Sequence, residues 1–140
     1  MYKSLSLQVV KDLLKHETFI MNNTINIAKD PMGSAIAEYY AKGKAAKLRV
    51  FSSQFYEDDI PVETLFRSFD DMPPQEQEAL RLCRGRVLDV GAGSGCHATE
   101  LMKMGNDVSA IDISELSVQV MKQRGIDARV LNFFDKTFDE

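Results

Sequence analysis

The run Arg86-Val87-Leu88-Asp89-Val90 opens without a break into Gly91-Ala92-Gly93-Ser94-Gly95, and no other stretch of the chain restricts its fold so tightly. A short apolar run of this kind reads as a parallel strand buried on both faces. Glycines directly after it allow a tight turn that a side chain would block. Ala98, Leu101 and Met102 then mark a helix ending at Gly105, and Val108–Ile111 reads as a second strand ending in Asp112. Ser114 caps a further helix, with Leu116, Val120 and Met121 on one face and Gly125 at its end, and Ala128–Leu131 is a third strand. The order strand, glycine loop, helix, strand, acid, helix, strand predicts an α/β chain. It is the first βαβαβ half of a Rossmann-like doubly wound sheet, with right-handed connections and strand order 3-2-1.

What precedes this half is different in character. Five of the eight glycines lie between Gly85 and Gly105, whereas all four prolines (Pro31, Pro61, Pro73, Pro74) come before it. We read residues 1–75 as a mainly helical N-terminal cover and residues 76–140 as the half-sheet. Leu7, Val10, Leu13 and Leu14 recur at helical spacing. Asp30-Pro31-Met32-Gly33 is a turn or the first turn of a helix through Lys42, with Ile36, Tyr39 and Tyr40 sharing a face and Gly43 ending it. Lys47–Ser52 alternates like an edge strand, Glu57-Asp58-Asp59 reads as a solvated loop, and residues 61–69 read as a helix with Leu65, Phe66 and Phe69 on one face. Pro73-Pro74 followed by acidic residues starts a helix that stops at Gly85.

Composition excludes several roles. The chain has 17 basic and 21 acidic residues, a formal charge of −4, so it lacks the cationic excess that displaces counterions from nucleic acid. Its longest apolar run is three residues, as at Phe19–Met21, too short for a bilayer span or a signal-peptide core. Two cysteines and two histidines are too few for a structural zinc site, and a reducing, cytoplasmic setting is expected.

The glycine loop is where chemistry becomes legible. A strand turning through glycines into a helix offers backbone N–H groups and the positive end of a helix dipole. Asp112, 17 positions beyond Gly95 at the end of the neighbouring strand, can accept both hydroxyl hydrogens of a ribose. Loop and acid together point to an adenosine-containing cofactor. A dinucleotide fingerprint wants Gly or Ala where Cys96 stands, and a pyrophosphate would be repelled by Asp89. A ligand carrying an ammonium and a sulfonium would not.

On Val87–Gly95, Val108–Ser114 and Val130–Asp135, the chain resembles the class I S-adenosylmethionine-dependent methyltransferases over about residues 76–140. The resemblance implies S-adenosyl-L-methionine as cofactor and methyl transfer to an acceptor the sequence does not name, a small molecule being favoured. It implies Asp89 near the cofactor's amino group, with Gly91, Gly93, Ser94 and Gly95 forming the loop beneath it. Asp112 would hold the ribose hydroxyls and Ile113 the adenine face. Asn132 would accept from the adenine amino group, and Phe133 would offer its backbone N–H to the ring. Substrate-facing groups would come in part from the cover, where Tyr39, Phe66 and Arg67 are candidates.

Cys96 reads as packing under the loop rather than as a reactive thiol, and His97 as a first-turn residue rather than a base. His16 reads as structural, and Lys42, Lys44, Lys47 and Arg49 as a solvated basic face. Two other classes stay open: a nicotinamide-dependent oxidoreductase with a degenerate fingerprint, and a cofactor-binding or interaction module without catalysis. The family's sheet has seven strands and this sequence supplies three, so we expect the amino-terminal portion of a longer enzyme, with at most weak cofactor binding of its own. Its Val87–Val90 edge would be open to pairing with a second copy.

Overall fold

The computed structural model describes residues 25–45, 47–54 and 56–134. The expected helix near Leu7–Leu14, and His16, lie outside them. After a short 3-10 turn at Ile27–Lys29 come helix α1 (Pro31–Lys42), strands β1 (Leu48–Val50) and β2 (Asp58–Ile60), and two 3-10 turns at Val62–Phe66 and Phe69–Asp71. Then follow α2 (Pro74–Leu82), β3 (Arg86–Val90), α3 (Cys96–Lys103), β4 (Asp107–Asp112), α4 (Glu115–Gln123) and β5 (Asp127–Val130).

β3, β4 and β5 form a parallel sheet with β4 in the middle, Val87 opposite Val108 and Ile111 opposite Arg129. Val108 and Ala110 of β4 pack with Ala98 and Leu101 of α3 and with Val118 and Met121 of α4, joined by Met72, Leu80, Ile126 and Ala128. Alternation along β3 turns Val87 toward this core, while Leu88 and Val90 remain 41% and 46% exposed. β3 is therefore an edge strand among the described residues, not the strand buried on both faces that its apolar run suggests. The helices that follow β3 and β4 contribute to one core on one face of the sheet.

α1 lies along α4. Asp30 caps it, accepting the Gly33 N–H at 2.7 Å, Pro31 occupies the first turn, and Gly43 ends it in the left-handed region at φ 69°. Residues 61–69 do not make the expected helix. Arg67 donates to the Thr64 carbonyl at 2.6 Å, the acceptor a continuing helix would give to Ser68, and the chain extends at Arg67 and Ser68 before turning again. Asp58 and Asp59 are in strand rather than in a solvated loop. β2 pairs antiparallel with β1, setting Asp59 opposite Arg49 and within 3.4 Å of both Arg49 and Lys47. Much of the expected basic face is thus matched by acids, with Lys42 on Glu38 as well.

Candidate functional site

A cavity of about 640 Å³, of the size that takes a nucleoside-bearing ligand, opens at the carboxyl ends of β3 and β4. Its walls bring together Gly91, Gly93, Asp112, Ile113, Asn132 and Phe133, residues far apart in the chain. The N-terminal segment closes another side with Ile25, Asp30, Met32, Ile36 and Leu65.

The glycine loop is built by local necessity. Gly91 and Gly93 have φ of 67° and 57°, conformations that L-residues rarely adopt. Gly91 and Ala92 donate their N–H groups to the Ile111 carbonyl at 2.9 and 3.1 Å, and Gly95 donates to Ala92 at 2.8 Å. Gly93 donates to Asp112 Oδ2 at 2.8 Å. The expectation of free loop amides is therefore not met at these four positions: β4 accepts from Gly91, Ala92 and Gly93, and the loop's own Ala92 carbonyl accepts from Gly95. At these four positions the loop has no free amide to offer a phosphate.

Asp112 terminates β4 with both oxygens engaged, Oδ2 by Gly93 and Oδ1 by the Ser114 N–H at 2.8 Å. Each carboxylate oxygen keeps a second lone pair for a hydroxyl. Ser114 caps α4, its Oγ accepting from Ser117 N at 3.0 Å. Asn132 Oδ1 accepts the Phe134 N–H at 3.0 Å, which holds the turn after β5 across the cavity.

Ser94 and Gly95 are not on the cavity wall. Ser94 is buried and donates its hydroxyl to the Leu65 carbonyl, while its own carbonyl accepts from Arg124 at 2.5 Å. Gly95, at φ 78°, leaves no room for a Cβ, which would overlap Ile126 and press on Met121. These two residues seat the loop on α4 and on the N-terminal segment.

Asp89 also lies off the main cavity, on the face of β3 turned toward the helices. It lines a smaller cleft of about 270 Å³ with Glu76, Leu80, Cys83 and His97. Its Oδ2 is shut off from solvent and has no hydrogen-bond partner among the described residues. Burial holds its carboxyl above the usual carboxylate range, against the opposing pull of His97 and the Ala98 N–H. His97 Nε2 lies 3.0 Å from Glu76 Oε2, which also takes Arg67 at 2.5 Å. Those two hydrogen bonds, His97 first, hold Glu76 below its ordinary value. Cys96 is buried and desolvation pushes its thiol up, in keeping with packing rather than reactivity.

Of the cover residues singled out from sequence, none lines the cavity. Phe66 packs at a tilt against Tyr39 with ring centroids 4.9 Å apart, under the Arg124 guanidinium, and Arg67 belongs to Glu76. Sequence reasoning missed Asp30, Met32, Ile36 and Leu65 as wall residues. The cap signature Asp30-Pro31 was visible, but nothing local tells where the capped end will dock.

A parallel sheet with a cavity at the carboxyl ends of its strands is the arrangement of the ligand-binding α/β domains. Residues 88–140 match the family model described as a methyltransferase domain. The chain is also similar, at 58% identity and a TM-score of 0.78, to a solved S-adenosylmethionine-dependent methyltransferase of Bacteroides fragilis in complex with S-adenosyl-L-homocysteine. That likeness covers 83% of this chain and 48% of the other, so the chain spans about half the length of that solved relative. No curated protein matches it at a significant level. Both likenesses bear out the resemblance to class I S-adenosylmethionine-dependent methyltransferases. No described helix is long and apolar enough to cross a membrane.

Proposed function

We propose that the cavity binds S-adenosylmethionine and that the chain serves methyl transfer to a small-molecule acceptor. One observation carries this reading. Among the described residues the cavity wall holds two carboxylates, Asp30 and Asp112, and no cationic side chain. A pyrophosphate entering such a cavity would meet repulsion and no free amides at Gly91, Ala92, Gly93 and Gly95, whereas a sulfonium or ammonium is attracted. The solved relative was crystallised with the demethylated form of the same cofactor.

In this reading Asp112 accepts the ribose hydroxyls, Ile113 lies along the adenine, and Asn132 with the Phe133 backbone meets its edge. Gly91 and Gly93 let the ligand approach the backbone, and Ser94 and Gly95 hold the loop's shape from behind. Asp89, turned to the other face of β3 and sealed from solvent there, would act on the ammonium of the methionine portion through its charge rather than by contact. The cofactor brings a methyl group already activated on its sulfonium, so the protein's contribution is alignment and exclusion of water. Ile25, Met32, Ile36 and Leu65 supply that apolar closure. The same reading takes residues 1–75 as a cover and 76–140 as the first half of a doubly wound sheet, strand order 3-2-1, in a cytoplasmic protein.

Equilibrium titration with S-adenosylhomocysteine and with NAD tests it. Binding of the former with none of the latter is the expected result. NAD binding in preference would favour an oxidoreductase instead.

A further inference from the structure

Asp30 is 3% exposed, at the start of α1, and both of its oxygens are used. Oδ1 caps the helix through Gly33, and Oδ2 accepts the Ser114 hydroxyl at 2.5 Å, across 84 positions of sequence. Ser114 in turn donates its N–H to Asp112 Oδ1, and Asp112 Oδ2 takes the Gly93 N–H. A continuous chain of hydrogen bonds thus runs from the N-terminal segment to the glycine loop. A second tether runs beside it, from the Ile25 N–H to the Ile113 carbonyl at 3.3 Å. The contact is close-fitted: a Cβ on Gly33 would overlap both Asp30 Oδ2 and Ser114 Oγ.

We infer that Asp30 is a positioning residue for Asp112. Acting through Ser114, it fixes the turn after β4 and so the direction in which the Asp112 carboxylate faces the ribose end of the cavity. The segment that supplies Ile25, Asp30, Met32 and Ile36 is then part of the cofactor site rather than only a lid over it. This inference rests on the cofactor reading above for its ligand, but not for the coupling itself.

The coupling is local, and a ligand-free measurement reads it. Asp30→Asn keeps a good N-cap acceptor for α1 while removing the anionic acceptor for Ser114. Ser114→Ala removes the hydroxyl, and with it the α4 cap to Ser117, whose own exchange serves as the control for fraying, and leaves the backbone N–H that Asp112 uses. In both variants hydrogen exchange at the Gly93 and Ser114 amides should rise about tenfold, with exchange in β5 unchanged. In the same proteins, affinity for S-adenosylhomocysteine should fall about tenfold while affinity for its 2′-deoxy analogue changes less than about twofold, because only the diol reads the carboxylate's direction. Equal losses for the two ligands, or unchanged exchange at Gly93 and Ser114, would overturn the inference. If the wild-type chain binds neither ligand, the cofactor reading falls and the exchange result alone decides the coupling. Should Asp30→Asn fail to fold, Ser114→Ala carries the test.

Discussion

Asp112 holds the glycine loop from the neighbouring strand: its Oδ2 accepts the Gly93 N–H at 2.8 Å across 19 positions of sequence. One carboxylate therefore shapes the loop and offers lone pairs to the cavity that the loop bounds. Asp112→Asn keeps one oxygen acceptor and puts an amide donor against either Gly93 or Ser114. Urea unfolding should show a loss of about 1–3 kcal/mol, the scale for leaving such a group unsatisfied, and calorimetry should show cofactor binding lowered more than tenfold.

Two glycines of the loop should respond differently, one mainly in stability and the other mainly in binding. Gly95→Ala meets both a positive φ and the Ile126 and Met121 side chains, so we expect a loss of about 2–4 kcal/mol in chemical unfolding. A Cβ on Gly91 meets nothing within 4 Å and points into open space at the cavity wall. Gly91→Ala should cost only about 1–2 kcal/mol of stability while severely weakening binding of S-adenosylhomocysteine.

Asp89 is a buried carboxylate with one oxygen unpartnered among the described residues, and burial raises its pKa in the fold. A group whose folded pKa lies above its unfolded value binds more protons in the native state. Its contribution is therefore fully present below the unfolded pKa near 3.8 and is lost as pH rises through the folded value. Once ionised, the buried carboxylate is a net cost to stability. Asp89→Asn should be more stable than wild type at pH 7, with the gap closing as pH falls, and should lower cofactor affinity, a stability gain at the expense of function. A variant less stable than wild type at pH 7 would count against this account.

Glu76 works in the opposite direction. His97 and Arg67 lower its pKa, so the stability it adds is present above the unfolded value of 4.5 and is lost as pH falls through its depressed folded value. Glu76→Gln should be less stable than wild type at pH 7, and the two melting curves should converge at acid pH. A constant gap across the range would mean that packing, not charge, sets the difference.

The open edge of β3 offers a further check. With Leu88 and Val90 exposed beside strand backbone that is unpaired among the described residues, the 140-residue chain should self-associate as its concentration rises in sedimentation velocity. Leu88→Lys should abolish that association. A wild-type chain that stays monomeric at high concentration removes this proposal.

The local code was sufficient for the elements of the C-terminal half. Gly85, Gly105 and Gly125 mark the expected ends, and Ser114 caps α4 as its position before a helical period implies. Periodicity and capping are short-range properties, so they can be read residue by residue. They were weaker in residues 57–69, where a side-chain hydrogen bond from Arg67 interrupts a helical pattern and cross-strand pairing with Arg49 draws Asp59 into a strand.

The sequence by itself determined the strand–glycine loop–helix order, the acid at the end of β4 and the family that these residues resemble. Only the tertiary structure decided which side chains share the cavity. Residues at alternate positions of β3 face opposite sides, so Asp89 turns to the helices while Val90 meets the cavity. Ser94 and Gly95, adjacent to cavity residues in sequence, turn inward because the loop curls back on itself. Asp30 enters the site from 84 positions before Ser114, because a buried carboxylate needs donors and the docking of α1 on α4 supplies one.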